Sequence, residues 1–142
     1  MIVLDTTVLV YAVGEAHFLR EPCRAIVRSV AEGRAQATTT SEVIQEFAEV
    51  RARRRSRADA ASLASEFAFL LSPLMTVDRD DLLAGLRLLE STESLGAFDA
   101  VLAATAMARA ARALVSADTD FSSVRGLAHV APGTPESAAL LG

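Results

Sequence analysis

Short apolar runs alternate along this chain with segments whose apolar residues recur at helical spacing. A chain patterned this way buries its strands between helices, because each run lacks the polar alternation of a half-exposed strand. Ile2-Val3-Leu4 is such a run, closed by the carboxylate of Asp5 and followed by a short helix from Thr6. Pro22 suits the first turn of a helix over about Pro22 to Ala31, and Gly33 stops it. Ala35 to Thr39 reads as a second strand, after which Ser41 caps a helix bearing Val43, Ile44, Phe47 and Val50. A helix over Ala58 to Leu71 ends before Pro73. Leu74 to Val77 reads as a third strand, with Asp78 capping the helix of Leu82, Leu83, Leu86 and Leu89. Phe98 to Ala111 is an Ala-rich helix, Leu114 to Ser116 a fourth strand, and Ala128 to Val130 a candidate fifth.

This order implies a three-layer α/β domain with a central, mainly parallel sheet of four or five strands. Residues 1–142 form one domain, with about 132–142 as a peripheral tail. In such sheets ligands bind beyond the carboxyl ends of the strands, so the residues that leave the strands carry the chemistry. Here they are Asp5, Asp78 and Asp118.

Composition removes several alternatives. All 14 Lys+Arg residues are arginine, so mechanisms that need a lysine fail, among them the P-loop, the phosphoacceptor receiver and the aspartyl phosphatase. No G-x-G-x-x-G follows a strand and no G-x-S-x-G is present. A formal net charge of −4 argues against a general phosphate-binding surface. The single Cys23 and the distant His17 and His129 make no zinc spacing, and Cys23 reads as an inert helix residue. No apolar run is long enough for a bilayer and the first residues lack an export signal, which leads to the expectation of a cytoplasmic protein with no membrane partner.

The remaining polar signal is carboxylate. Asp5 and Asp118 end strands, and Asp99 lies in the first turn of the Ala-rich helix. Glu42, Glu46 and Glu49, spaced i, i+4, i+7, share one helix face. Converging carboxylates repel one another unless a cation neutralises them, and an all-oxygen donor set selects Mg²⁺ or Mn²⁺. Such clusters serve phosphodiester hydrolysis, although each residue also has a plainer use as a turn cap or solvated helix residue.

Four stretches occur together in order: Met1 to Val10 around Asp5, Ser41-Glu42-Val43-Ile44-Gln45-Glu46-Phe47, Phe98-Asp99-Ala100-Val101-Leu102, and Leu114-Val115-Ser116-Ala117-Asp118-Thr119-Asp120-Phe121. Together they resemble the PIN-domain ribonucleases and, in size and wording, the VapC-type toxins of prokaryotic toxin–antitoxin pairs. The resemblance runs from about Met1 to Val130. It implies a PIN-like fold and an acidic quartet of Asp5, Glu46, Asp99 and Asp118, with Glu42 as the alternative to Glu46. Asp120 would reach metal through water, and Thr7 and Ser116 would steady the site. The implied activity is a Mg²⁺- or Mn²⁺-dependent endoribonuclease, with one or two ions, that leaves 5′-phosphate and 3′-hydroxyl ends. The implied partners are RNA, a VapB-type antitoxin and a second copy of the chain. Arg51, Arg54 and Arg55 could hold RNA or the antitoxin, or simply pair with nearby glutamates. The competing reading is a PIN-like scaffold that binds RNA or a partner without cleaving it.

Overall fold

The computed structural model describes residues 1–142. Four parallel strands form the sheet: β1 (Ile2–Leu4), β2 (Ala37–Thr38), β3 (Ala113–Val115) and β4 (His129–Val130), in the order β2-β1-β3-β4. Ile2 is opposite both Ala37 and Ala113, Leu4 opposite Val115, and Val115 opposite Val130. All residues of β1 and β3 are buried, as continuous apolar runs require. The crossovers leave β1 toward opposite sides, so the topological switch lies at its carboxyl end, beside β3.

Seven helices surround the sheet: α1 (Thr6–Ala12), α2 (Arg20–Ala31), α3 (Ser41–Arg54), α4 (Arg57–Leu70), α5 (Arg79–Ser91), α6 (Ala97–Ala108) and α7 (Pro135–Ala139). α1 packs on α2 and α3, α3 on α4, and α5 on α6. The core joins Val3, Leu4, Val8 and Leu9 with Val43, Phe47 and Leu114. Phe47 meets Phe67 of α4 edge to face, with ring centroids 5.1 Å apart. α5 and α6 approach closely because Gly85 carries no side chain: a Cβ there would lie 2.5 Å from Val101 Cγ2 and 2.6 Å from its Cα.

Several expectations need correction. Leu74 to Val77 is not a strand; only Met75 pairs, in an isolated bridge to Thr40. Asp78 therefore leaves no strand. It caps α5 in a reciprocal capping box with Asp81, whose buried carboxylate also receives Arg109 at 2.9 and 2.7 Å. The cap of α3 is Thr40, one residue before Ser41, because the Thr40 hydroxyl accepts from the Val43 N–H. Residues 132–142, expected as a peripheral tail, are anchored near their end. Leu140 joins the core, and the Leu141 carbonyl accepts from Ser29 Oγ at 2.6 Å and an Arg34 guanidinium nitrogen at 2.9 Å. Met1 and Gly142 consequently border one cavity of about 240 Å³ with Arg34 and Arg112. Leu82, Leu83, Leu86 and Leu89 of α5 are exposed; the face of α5 turned inward carries Asp81 and Gly85 instead. No helix is long and apolar enough to cross a membrane.

Candidate active site

Asp5 follows β1 and caps α1, where its backbone N–H is held by the Val115 carbonyl at 3.0 Å. Its carboxylate is buried, which costs free energy unless donors meet it. The donors come from two distant places in the chain. Thr7 Oγ1 donates to Asp5 Oδ2 at 2.9 Å and Ser116 Oγ at 2.6 Å. Each hydroxyl in turn accepts a backbone N–H from the turn after β3, Thr7 from Ala117 and Ser116 from Asp118, both at 3.0 Å. Both hydroxyls of this lattice thus donate and accept, and all the donors to the carboxylate fall on Oδ2, leaving Oδ1 of Asp5 without one. Thr6 Oγ1, one residue along the chain, is buried without a partner.

Asp118 caps the 3₁₀ turn Thr119–Ser123 by accepting from the Asp120 N–H at 2.9 Å. His129 of β4 secures the same turn from outside. Its Nε2 is 2.9 Å from the Ser116 carbonyl, which can only accept, so Nε2 carries the proton and Nδ1 accepts from Ser122 Oγ at 3.0 Å.

Asp99 lies in the first turn of α6, half-buried, and burial pushes its carboxyl up to about 7. The charges of Asp5, Asp118, Glu46 and Asp120, in falling order, push in the same direction, and no donor offsets them. The structure therefore brings Asp5, Glu46, Asp99, Asp118 and Asp120 into one electrostatic neighbourhood. Of the three glutamates on α3, Glu46 is half-buried while Glu42 and Glu49 are exposed, and only Glu46 is felt by Asp99.

As they stand, no three of the chain's His, Cys, Asp and Glu side chains are gathered tightly enough to hold an ion. Like charges with no cation between them separate. The chemistry of the set nevertheless suits a hard divalent cation: every donor is oxygen, one carboxylate is strongly disfavoured in its charged form, and Asp5 keeps one oxygen free. Cys23, buried with its thiol pushed up to about 12 by desolvation, takes no part.

The arginines divide. Arg51 is half-buried, paired with Asp59 of α4 and donating to the Val13 carbonyl at 3.0 Å, so it joins α3 and α4 to the end of α1. Arg54 and Arg55 are exposed and border a cavity of about 330 Å³ with Val10, Val13, Phe47 and Val50. Phe18 and Phe69 are exposed, which nothing in the local sequence pattern signals.

Comparison with known proteins agrees with this fold. The PIN domain model matches residues 2–127. Ribonuclease VapC7 of Mycobacterium tuberculosis is 50% identical over 146 aligned positions, covering 100% of this chain and 99% of that protein. Among solved structures, VapC20 of Mycobacterium tuberculosis, a sarcin–ricin loop cleaving toxin, superposes with a TM-score of 0.72 at 17% identity, covering 86% of this chain and 93% of its own. VapBC2 from Rickettsia felis, solved with a promoter DNA fragment, gives a TM-score of 0.70 at 18% identity over 92% of this chain and 98% of its own.

Proposed function

The chain belongs to the PIN-domain family and, within it, to the VapC ribonucleases, and from that footing we propose that it hydrolyses RNA phosphodiester bonds at its acidic cluster as the toxin of a toxin–antitoxin pair. The observation that carries the assignment of the site is Asp99, a half-buried carboxyl ringed by the charges of Asp5, Asp118, Glu46 and Asp120. Asp5, Glu46, Asp99 and Asp118 would hold Mg²⁺ or Mn²⁺, with Asp120 reaching it through water; Glu42, exposed and outside the field on Asp99, is the weaker alternative to Glu46. When bound, such an ion supplies a nucleophilic water at neutral pH and stabilises charge on the phosphoryl oxygens, giving 5′-phosphate and 3′-hydroxyl ends.

The chain's own residues supply orientation. Thr7 and Ser116 hold Asp5 by one oxygen and so leave the other free to bind. The Asp120 N–H fixes one oxygen of Asp118, and His129 keeps the turn that carries Asp118 against β3. No histidine is needed as a base, because neither ring belongs to the cluster around Asp99.

The partner is a VapB-type antitoxin, in keeping with the structural likeness to toxin–antitoxin assemblies. A second copy of the chain would cover Leu82, Leu83, Leu86 and Leu89, which lie exposed on one helix. The test is cleavage of total cellular RNA by the purified protein with Mg²⁺ or Mn²⁺, with EDTA, and with Asp99→Asn. Discrete fragments lost in both controls support the reading. Equal silence of wild type and variant, with metal binding intact by calorimetry, favours the non-cleaving scaffold.

A further inference from the structure

Three rings stack where α1 gives way to the segment that leads to α2, the first on α1 and the other two on the segment. Tyr11, His17 and Phe18 follow one another with centroids 4.5 Å apart at each step and interplanar angles of 27° and 29°. The middle ring is fixed, since His17 Nδ1 accepts the Leu19 N–H at 3.1 Å. The last ring is not covered: Phe18 is 81% exposed. Leaving so large an apolar ring in water is unfavourable, and hydrophobic packing within the chain does not account for it.

The same segment, through Gly14 and Glu15, borders the cavity rimmed by Arg54 and Arg55. Neither arginine is in an ion pair, whereas Arg51 between them and α1 is fully engaged. Although the chain as a whole is acidic, the cavity that this segment borders three residues before Phe18 carries two guanidinium groups free of ion pairs, with Glu15 as its one carboxylate. It also lies in line with the acidic cluster. α1 and α3 pack side by side and both lead away from it: Tyr11 is about 9 Å along α1 from Asp5, and Arg54 about 12 Å along α3 from Glu46.

We propose that Phe18 is a stacking platform for one unpaired base of the RNA substrate, with Arg54 and Arg55 holding the adjoining phosphates. A base laid on Phe18 would extend an existing stack of three rings, and guanidinium forks bind phosphate bidentately. A duplex, whose bases are already stacked on one another, could not use the platform. The platform thus favours single-stranded over paired RNA at this position. The proposal rests on the ribonuclease reading for the identity of the polymer.

The test uses a short single-stranded oligoribonucleotide of mixed sequence containing 2-aminopurine, and the same strand annealed to its complement, both titrated in EDTA so that nothing is cleaved. The wild type is expected to quench 2-aminopurine and to prefer the single strand. Phe18→Ala should abolish the quench and weaken single-strand binding on the order of tenfold, with duplex binding unchanged, while Phe18→Trp should keep both. Because Phe18 is almost wholly exposed, thermal melting of the Ala variant should match wild type. Unchanged binding and quench in Phe18→Ala overturn the platform while leaving the nuclease reading in place. So does a variant that keeps RNA binding and loses only its complex with the co-expressed antitoxin, which would assign the ring to that protein instead. A wild type that neither binds nor cleaves RNA overturns both.

Discussion

Replacing Asp99 by Asn should remove cleavage and yet make the metal-free protein more stable. The Asp99 carboxyl rises from 3.8 to about 7 on folding, so folding opposes its ionisation. The sign follows from proton uptake: between these two values the folded chain binds more protons than the unfolded one, and stability falls as pH rises through the interval. A gap of about 3 pH units corresponds to roughly 4 kcal/mol against the ionised form. Asp99 is only half-buried, and water screens the neighbouring charges, so about half of this, near 2 kcal/mol, is a realistic figure. The Asn variant has no such ionisation to lose. In urea titrations with EDTA, its advantage over wild type should therefore widen by about 2 kcal/mol between about pH 4 and pH 8. Adding Mn²⁺ at the higher pH should restore the wild type and leave the variant nearly unmoved, because a cation stabilises the carboxylates it neutralises. A constant difference across that pH range, or a variant less stable at the higher pH, would refute the account of Asp99 as a carboxylate held in a field of others.

Ser116→Ala withdraws a 2.6 Å hydrogen bond from the buried Asp5, and we expect a loss of about 1–2 kcal/mol in stability by urea unfolding together with a 10–100-fold fall in metal-dependent cleavage, on the order seen for residues that support metal ligands. Arg109→Ala should cost about 3 kcal/mol, since it leaves the buried Asp81 with no cation. Arg109 holds the Asp81 carboxyl down at about 2, so the wild type keeps this stabilisation above about pH 4 and loses it as pH falls through about 2; the variant should show a shallower acid limb in denaturation. Gly85→Ala adds a methyl group 2.5 Å from Val101 and should lower stability by about 2 kcal/mol, despite the roughly 1 kcal/mol that Ala gains over Gly in helix propensity. Equal urea midpoints for Gly85→Ala and wild type would show that α5 and α6 can part.

What could be read in the sequence was what local chemistry decides. Asp78 is a cap with Asp81 three residues on, and the structure closes that capping box. The buried runs Ile2–Leu4 and Ala113–Val115 are strands because nothing in them can face water. Leu74–Met75–Thr76–Val77 has the same look, yet pairing needs a neighbour at the right register, and only Met75 finds one. The carboxylates were legible, but their ranking was not: Glu42, Glu46 and Glu49 share a face, and burial beside α6 alone sets Glu46 apart. The lattice that holds Asp5 joins Thr7 to Ser116 across 109 positions, a contact that spacing cannot show and that entered only through resemblance to a family. The exposure of the α5 leucines is not legible for a general reason: an apolar side chain at helical spacing says where the helix is, not which of its faces the rest of the chain covers.

Met1 and Gly142 border one cavity with Arg34 and Arg112, at the end of the sheet where the strands begin, whereas the acidic cluster lies where they finish. For work at the bench this polarity is convenient. A fluorophore, affinity tag or surface tether attached at either terminus would sit a full strand length from the acidic cluster. With both termini at one cavity, a short Gly/Ser bridge could join them and new ends be opened in an exposed turn, giving a permuted chain whose folding could be compared with the original under the same conditions.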